Sequence, residues 1–182
     1  MFFVIPGIVF GQMSFIYTDN DLSTGNSVSA FSVEANGSLR ELLGSPFPTG
    51  SGFGGGLPSS NRIVVVGDFL YAANGLGGNI SGFSINPATG NLTVIAGSPF
   101  PTEIGVQGIS LAATPDRRFL FASHQSSHRI VTFSISNSGA LTRISTFDLF
   151  VGSQTAGSRI SPDGKFLAVT LPSNVPESGR DS

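Results

Sequence analysis

The chain has 182 residues, of which 24 are Gly and 11 Pro; it contains 16 Phe, no Cys and no Trp, and only 11% of it is charged. A net charge of −2 without any basic cluster excludes the electrostatic footprint of a nucleic-acid binder. The lack of Cys removes disulfides and thiolate metal sites, and two His residues are scant material for a zinc centre, so no metal and no cofactor are expected.

In chain order, the first feature is the apolar run Phe2 to Phe10, interrupted by Pro6 and far short of the roughly twenty residues that span a bilayer. No membrane span is expected. Ending in Gly11-Gln12, the run reads either as the apolar region of a signal peptide over residues 1–12, which would place the protein in the secreted or periplasmic space, or as a strand of a protein that stays in the cytoplasm. Residues 13–170 then carry short β-branched and aromatic runs separated by Gly, Pro, Asn and Asp, the pattern of an all-β domain. The runs Val28–Val33, Ile80–Ile85 and Ile130–Ile135 share the pattern Val/Ile-x-x-Phe-Ser-Val/Ile, start 52 and 50 residues apart, and are each followed by Gly-x-Leu at Gly37, Gly90 and Gly139. Ahead of them, and once more near the end, stand Phe15-Ile16-Tyr17, Phe69-Leu70-Tyr71, Phe119-Leu120-Phe121 and Phe166-Leu167-Ala168.

Turns precede three of these runs, at Val66-Gly67-Asp68, Thr114 to Arg118 and Ser161 to Lys165. In the latter two, Pro presets φ and Asp bonds its own backbone, which are hairpin signals. Before the turns lie Ile63 to Val66, Ile109 to Ala113 and Ser158 to Ile160; Leu39 to Leu43, Leu92 to Ala96 and Leu141 to Thr146 close the units. Each unit of about fifty residues thus holds four short strands, and a fixed period of this length predicts β-propeller blades. Blade breaks fall near residues 61, 108 and 157, and the polar, Pro-containing residues 171–182 read as a disordered tail.

Two further motifs have architectural readings. Gly44-Ser-Pro-Phe-Pro-Thr49 recurs as Gly97-Ser-Pro-Phe-Pro-Thr102, where Pro is expected to stop the fourth strand by removing ladder donors, and Phe47 and Phe100 to pack between blades. The Gly-rich stretch 50–56 lacks the Lys-Ser/Thr ending and the following helix that a phosphate cradle needs, so it reads as an inter-blade loop. The sequons at Asn36, Asn79 and Asn91 sit in turn contexts that favour Asn for its backbone chemistry.

Phe69-Leu-Tyr-Ala-Ala-Asn74, Ser81-Gly-Phe-Ser-Ile-Asn-Pro-Ala-Thr-Gly-Asn-Leu92 and Ser161-Pro-Asp-Gly-Lys-Phe-Leu167 resemble the blade signature of the lactonase-type β-propellers, the 6-phosphogluconolactonase-like proteins with YVTN-type repeats. The resemblance covers roughly residues 15–170 and implies seven blades in a closed ring, of which this sequence holds two complete ones, three strands of an earlier one and two of a later one. A partial propeller of four-stranded antiparallel blades leaves apolar terminal faces in water, so we expect either a truncated reading frame or self-association of several copies through those faces.

The resemblance also implies that loops joining second to third strands, and fourth strands to the next blade, share the ligand-bearing face. On it would lie Asp19, Asp21, Glu103 and Asp148, with Arg62 and Arg159 near the starts of inner strands. His124, His128 and Arg129 share one such loop; a neutral His beside an Arg suits the water activation and oxyanion stabilisation of lactone hydrolysis, whereas His124 also reads as a polar turn residue replacing Asn20 and Asn74. The Pro-His pair that the family often carries before an inner strand is replaced by Gln107-Gly108 and Ala156-Gly157. Expected functions are therefore a scaffold or small-ligand binder lacking a complete active site or, alternatively, a hydrolase of sugar lactones.

Overall fold

The computed structural model describes residues 14–50, 60–102, 108–149 and 155–171, which form fifteen strands and no helix. The apolar run 2–10, residues 51–56 of the Gly-rich stretch, Glu103 and the tail from 172 onwards lie outside the described residues. Four antiparallel sheets follow one another along the chain. The first comprises β1 (Ser14–Asp19), β2 (Ser27–Val33), β3 (Leu39–Glu41) and β4 (Phe47–Pro48). The second comprises β5 (Ile63–Val66), β6 (Phe69–Asn74), β7 (Asn79–Ile85), β8 (Leu92–Val94) and β9 (Phe100–Pro101). The third runs β10 (Ile109–Ala113), β11 (Phe119–His124), β12 (Arg129–Ile135) and β13 (Leu141–Asp148), and the fourth is the pair β14 (Gly157–Ile160) and β15 (Leu167–Thr170).

The repeat dictates register as well as strand order. Phe31 pairs with Ile16, Phe83 with Leu70 and Phe133 with Leu120, so the third-strand Phe meets the same second-strand position in each of the first three sheets. First strands of successive sheets abut: Leu111 N donates to Asn61 O at 2.8 Å, and β10 lies against both β5 and β14. This is the radial stacking of propeller blades; the described residues form an all-β partial propeller whose sheets do not close into a ring.

Neighbouring blades bury one face each. Tyr71, Ala73, Ile95 and Phe100 of the second blade pack with Leu111, Leu120, Phe133 and Leu141 of the third. Val28, Tyr17 and Phe47 of the first pack with Leu70, Phe83 and Leu92 of the second. At both seams the second-strand Tyr reaches forward, Tyr17 Oη donating to Gly90 O at 2.7 Å and Tyr71 Oη to Gly139 O at 2.8 Å. Burial pushes both phenols above their ordinary range, so they remain protonated donors. Beside each Tyr a Phe ring fills the space where a side chain would stand. A Cβ on Gly90 would lie 2.4 Å from Phe15 Cδ1, and one on Gly139 2.6 Å from Phe69 Cδ1. The Gly-x-Leu step thus combines a positive φ with close aromatic approach, which only Gly satisfies.

The fourth strand differs from expectation. Pro46 and Pro99 interrupt it rather than stop it, because the chain rejoins the same sheet one step later: Phe47 pairs with Val28 and Phe100 with Ile80. The Ser-Pro bonds are cis at both places, and Phe100 is buried in the seam. The third blade has no such Pro, and β13 runs uninterrupted from Leu141 to Asp148.

Candidate functional site

The structure divides the expected site residues into three places. The first lies where the first blade meets the second. Asp19 ends β1, and its Oδ1 accepts from Asn26 Nδ2 at 2.7 Å and from Asp21 N at 3.3 Å. Asn26 Nδ2 also reaches Asn74 Oδ1 across the seam at 3.2 Å, while Arg62, just ahead of β5, pairs with Asp21. Asp19 Oδ2 is buried without a hydrogen-bond partner among the described residues, and desolvation raises its carboxyl above the usual carboxylate range against the lowering effect of Asn26.

The second place is the outer part of the third blade. His128, Arg129 and Asp148 line a cavity of about 290 Å³ with Ser127 and Leu149. Arg129 and Asp148 are a directly opposed pair in the β12–β13 ladder, and Arg129 Nε donates to Asp148 Oδ1 at 2.5 Å. His128 holds a left-handed φ of 55°, uncommon for a residue with a side chain, and its carbonyl accepts from Leu149 N at 2.7 Å.

His124 does not join them. It is the last residue of β11 rather than part of the following loop, its side chain is fully buried, and Nε2 bonds Thr102 Oγ1 at 3.0 Å across the seam to the second blade. Burial in a strand explains the difference: the Asn-to-His change keeps a polar side chain at the position where Asn74 bonds Ser81. Asp148 likewise stands on a strand and not in a loop, since β13 continues to it.

The third place is the groove along the abutting first strands, about 240 Å³, walled by Ile63, Leu111 and Ile160, with Asn61, Ser158 and Arg159 as its polar members. Arg159 is exposed, whereas Ser158 is buried and bonds Ser110 through its amide and hydroxyl at 2.9 and 3.0 Å. Asn61 Nδ2 donates to Ser158 O at 2.7 Å, tying the second blade to the fourth across the groove. Sequence reading passed over Asn61, Ser110 and Ser158; the available signal was polar residues at the ends of or within otherwise apolar first strands. Among the described residues no group of three or more His, Asp or Glu is placed to hold a metal ion.

Solved structures share this fold. A 6-phosphogluconolactonase-like protein of Bacteroides fragilis is 24% identical at a TM-score of 0.67, the match covering 86% of this chain and 47% of that one. The periplasmic gluconolactonase of Pseudomonas aeruginosa is 24% identical at a TM-score of 0.60, covering 87% of this chain and 47% of that one. A Lactobacillus plantarum protein matches at a TM-score of 0.64 with 21% identity, over 86% and 47% of the two chains. At these identities the likeness shows the fold, and the chain spans about half the length of the structures it matches. No curated protein matches. The family model for the lactonase 7-bladed β-propeller matches residues 8–156, and the chain therefore belongs to the lactonase family of seven-bladed β-propellers.

Proposed function

We propose that this chain binds a small polar molecule of the sugar-lactone class in the groove along its first strands, as part of a scaffold without a complete catalytic set. The observation that carries this reading is the chemistry of the groove wall. Arg159 offers a guanidinium to a carboxylate or phosphate and Asn61 an amide to hydroxyls, while Ile63, Leu111 and Ile160 give an apolar floor for a sugar ring face. Lactone opening needs a base for water and a donor for the developing oxyanion, and none of the described lining residues is Asp, Glu or His.

Calorimetric titration with gluconolactone and with 6-phosphogluconate tests this. Binding that weakens about tenfold in Arg159→Ala is expected, the loss of one charge-assisted contact, with no acid release from the lactone above background.

The hydrolase reading is the alternative, favoured by the His128, Arg129 and Asp148 cavity. It requires measurable ring opening that falls in His128→Gln while His124→Gln chiefly lowers stability. Turnover of that kind would overturn the scaffold reading.

A further inference from the structure

The sequence carries three Asn-x-Ser/Thr triplets, beginning at Asn36, Asn79 and Asn91, and the fold treats them differently. Asparagine-linked oligosaccharide transfer recognises this motif at the surface, and it needs the side-chain amide and the hydroxyl two residues on within reach together. Asn79 fails on both counts. Its Oδ1 accepts from Asn74 Nδ2 at 2.8 Å and its Nδ2 donates to Gly77 O at 3.0 Å, while Ser81 is fully buried and its Oγ donates to Thr49 O at 2.8 Å. Asn91 stands in the seam between the first and second blades. It is half-buried between Gly90, which lies under the Phe15 ring, and the buried Leu92, and its Thr93 lies within the extended β8.

Asn36 meets both requirements. It is the third residue of the turn that joins β2 to β3, closed by Gly37 N donating to Glu34 O and Glu34 N to Ser38 O, each at 2.8 Å. Gly37 takes a φ of 83°, and the bend folds Ser38 back onto Asn36: Ser38 N and Ser38 Oγ donate to Asn36 Oδ1 at 2.9 and 2.7 Å. Asn36, Gly37 and Ser38 are all exposed. That exposure does not come from the blade's place in the chain. Thr89 and Ser138, the counterparts of Asn36 in the second and third blades, are exposed although a preceding blade covers the Gly that follows each of them.

We propose that Asn36 is a site of N-linked glycosylation in the folded chain, and that Asn79 and Asn91 are not. The co-substrate is an oligosaccharide on a lipid diphosphate, brought by an oligosaccharyltransferase. Asn36 Nδ2 attacks the anomeric carbon of the donor: the bond from Nδ2 to that carbon forms as the carbon–oxygen bond to the diphosphate breaks. The bonding pair leaves with the lipid diphosphate, and one amide proton passes to a base of the transferase. The chain itself supplies the conformation, because an Asn and a Ser bridged through Oδ1 and Oγ present amide and hydroxyl on one side of a chain reversal. Antiparallel pairing puts the β2–β3 turn at the end of its sheet opposite to Asp19 and Asn26, so the glycan stands clear of them and does not depend on the ligand reading above.

The test incubates the folded, full-length chain with a purified single-subunit oligosaccharyltransferase and a lipid-linked oligosaccharide, and reads the product by intact mass and peptide fragmentation. One glycan per chain is expected, located on Asn36. It should be retained in Asn91→Gln and in Ser38→Thr, which keeps the hydroxyl, and lost in Asn36→Gln and Ser38→Ala. Both loss variants should keep the circular dichroism of the wild type, since the residues changed are exposed. A folded wild-type chain that stays unmodified overturns the proposal; so does a glycan found on Asn79 or Asn91, or a Ser38→Ala chain modified as fully as the wild type.

Discussion

The seam between the second and third blades and the bare face of the first blade are built from the same sequence pattern, yet only the seam buries it. Leu120, Phe133 and Leu141 are sealed by Tyr71, Ile95 and Phe100, whereas Ile16 and Leu39 at matching positions face solvent and Phe31 is half-buried. The difference teaches that in this fold an apolar face acquires its energy from the neighbour and not from its own strand. Burial free energy scales with the area removed from water, and each blade removes area mainly from the one beside it.

Four tests, made with seven substitutions, break or sharpen this comparison. The largest effect belongs to Phe133→Ala, which empties a fully buried site and should cost about 3–5 kcal/mol, against under about 2 kcal/mol for Phe31→Ala, whose ring is already partly hydrated; paired denaturant titrations measure both. Next is Gly139→Ala. Its Cβ would stand 2.6 Å from Phe69 Cδ1 and 2.7 Å from Ile95 Cδ1, so backbone strain and overpacking together should cost about 2–4 kcal/mol, while Gly37→Ala carries only the strain, about 1 kcal/mol. Equal costs at the two glycines would remove the seam from the account.

Tyr71→Phe ranks third. It deletes the hydroxyl that donates to Gly139 O, leaving a buried carbonyl without that partner at about 1–2 kcal/mol; Tyr17→Phe, at a half-buried seam, should cost about half as much. The smallest effect is electrostatic. Asp19 binds its proton more tightly in the folded chain than in the unfolded one, so its contribution favours folding below the unfolded pKa and is lost as pH rises through the folded pKa. Asp19→Asn retains an Oδ1 acceptor for Asn26 and Asp21, and should raise the melting temperature at neutral pH with no gain below about pH 3. A gain independent of pH would point to something other than the buried charge.

Much of the fold was legible because the repeat carries redundant signals. The Phe of Val/Ile-x-x-Phe-Ser-Val/Ile and the Gly of Gly-x-Leu each recur at fixed spacing, and their register and close aromatic contact follow from that recurrence. The rejoining of the sheet after Pro46 and Pro99 was not legible, since a Pro signals only the loss of a donor and says nothing about the residue after it. The site was less readable still. Which side chain a strand end buries depends on the neighbouring blade: His124 and His128 are four residues apart, yet one is sealed against Thr102 and the other lines a cavity with Asp148. The Asn61–Ser158 contact joins residues 97 apart and skips a blade, a pairing that no local pattern announces.

Native-state hydrogen exchange tests the central point that blades are stabilised by their neighbours. Amides of Leu70–Ala73 and Leu120–Ser123 should exchange only through global unfolding, and those of Ile16–Thr18 and Ala168–Thr170 about a hundredfold faster or more. Equal protection across all four second strands would contradict it, because each blade would then be holding itself together.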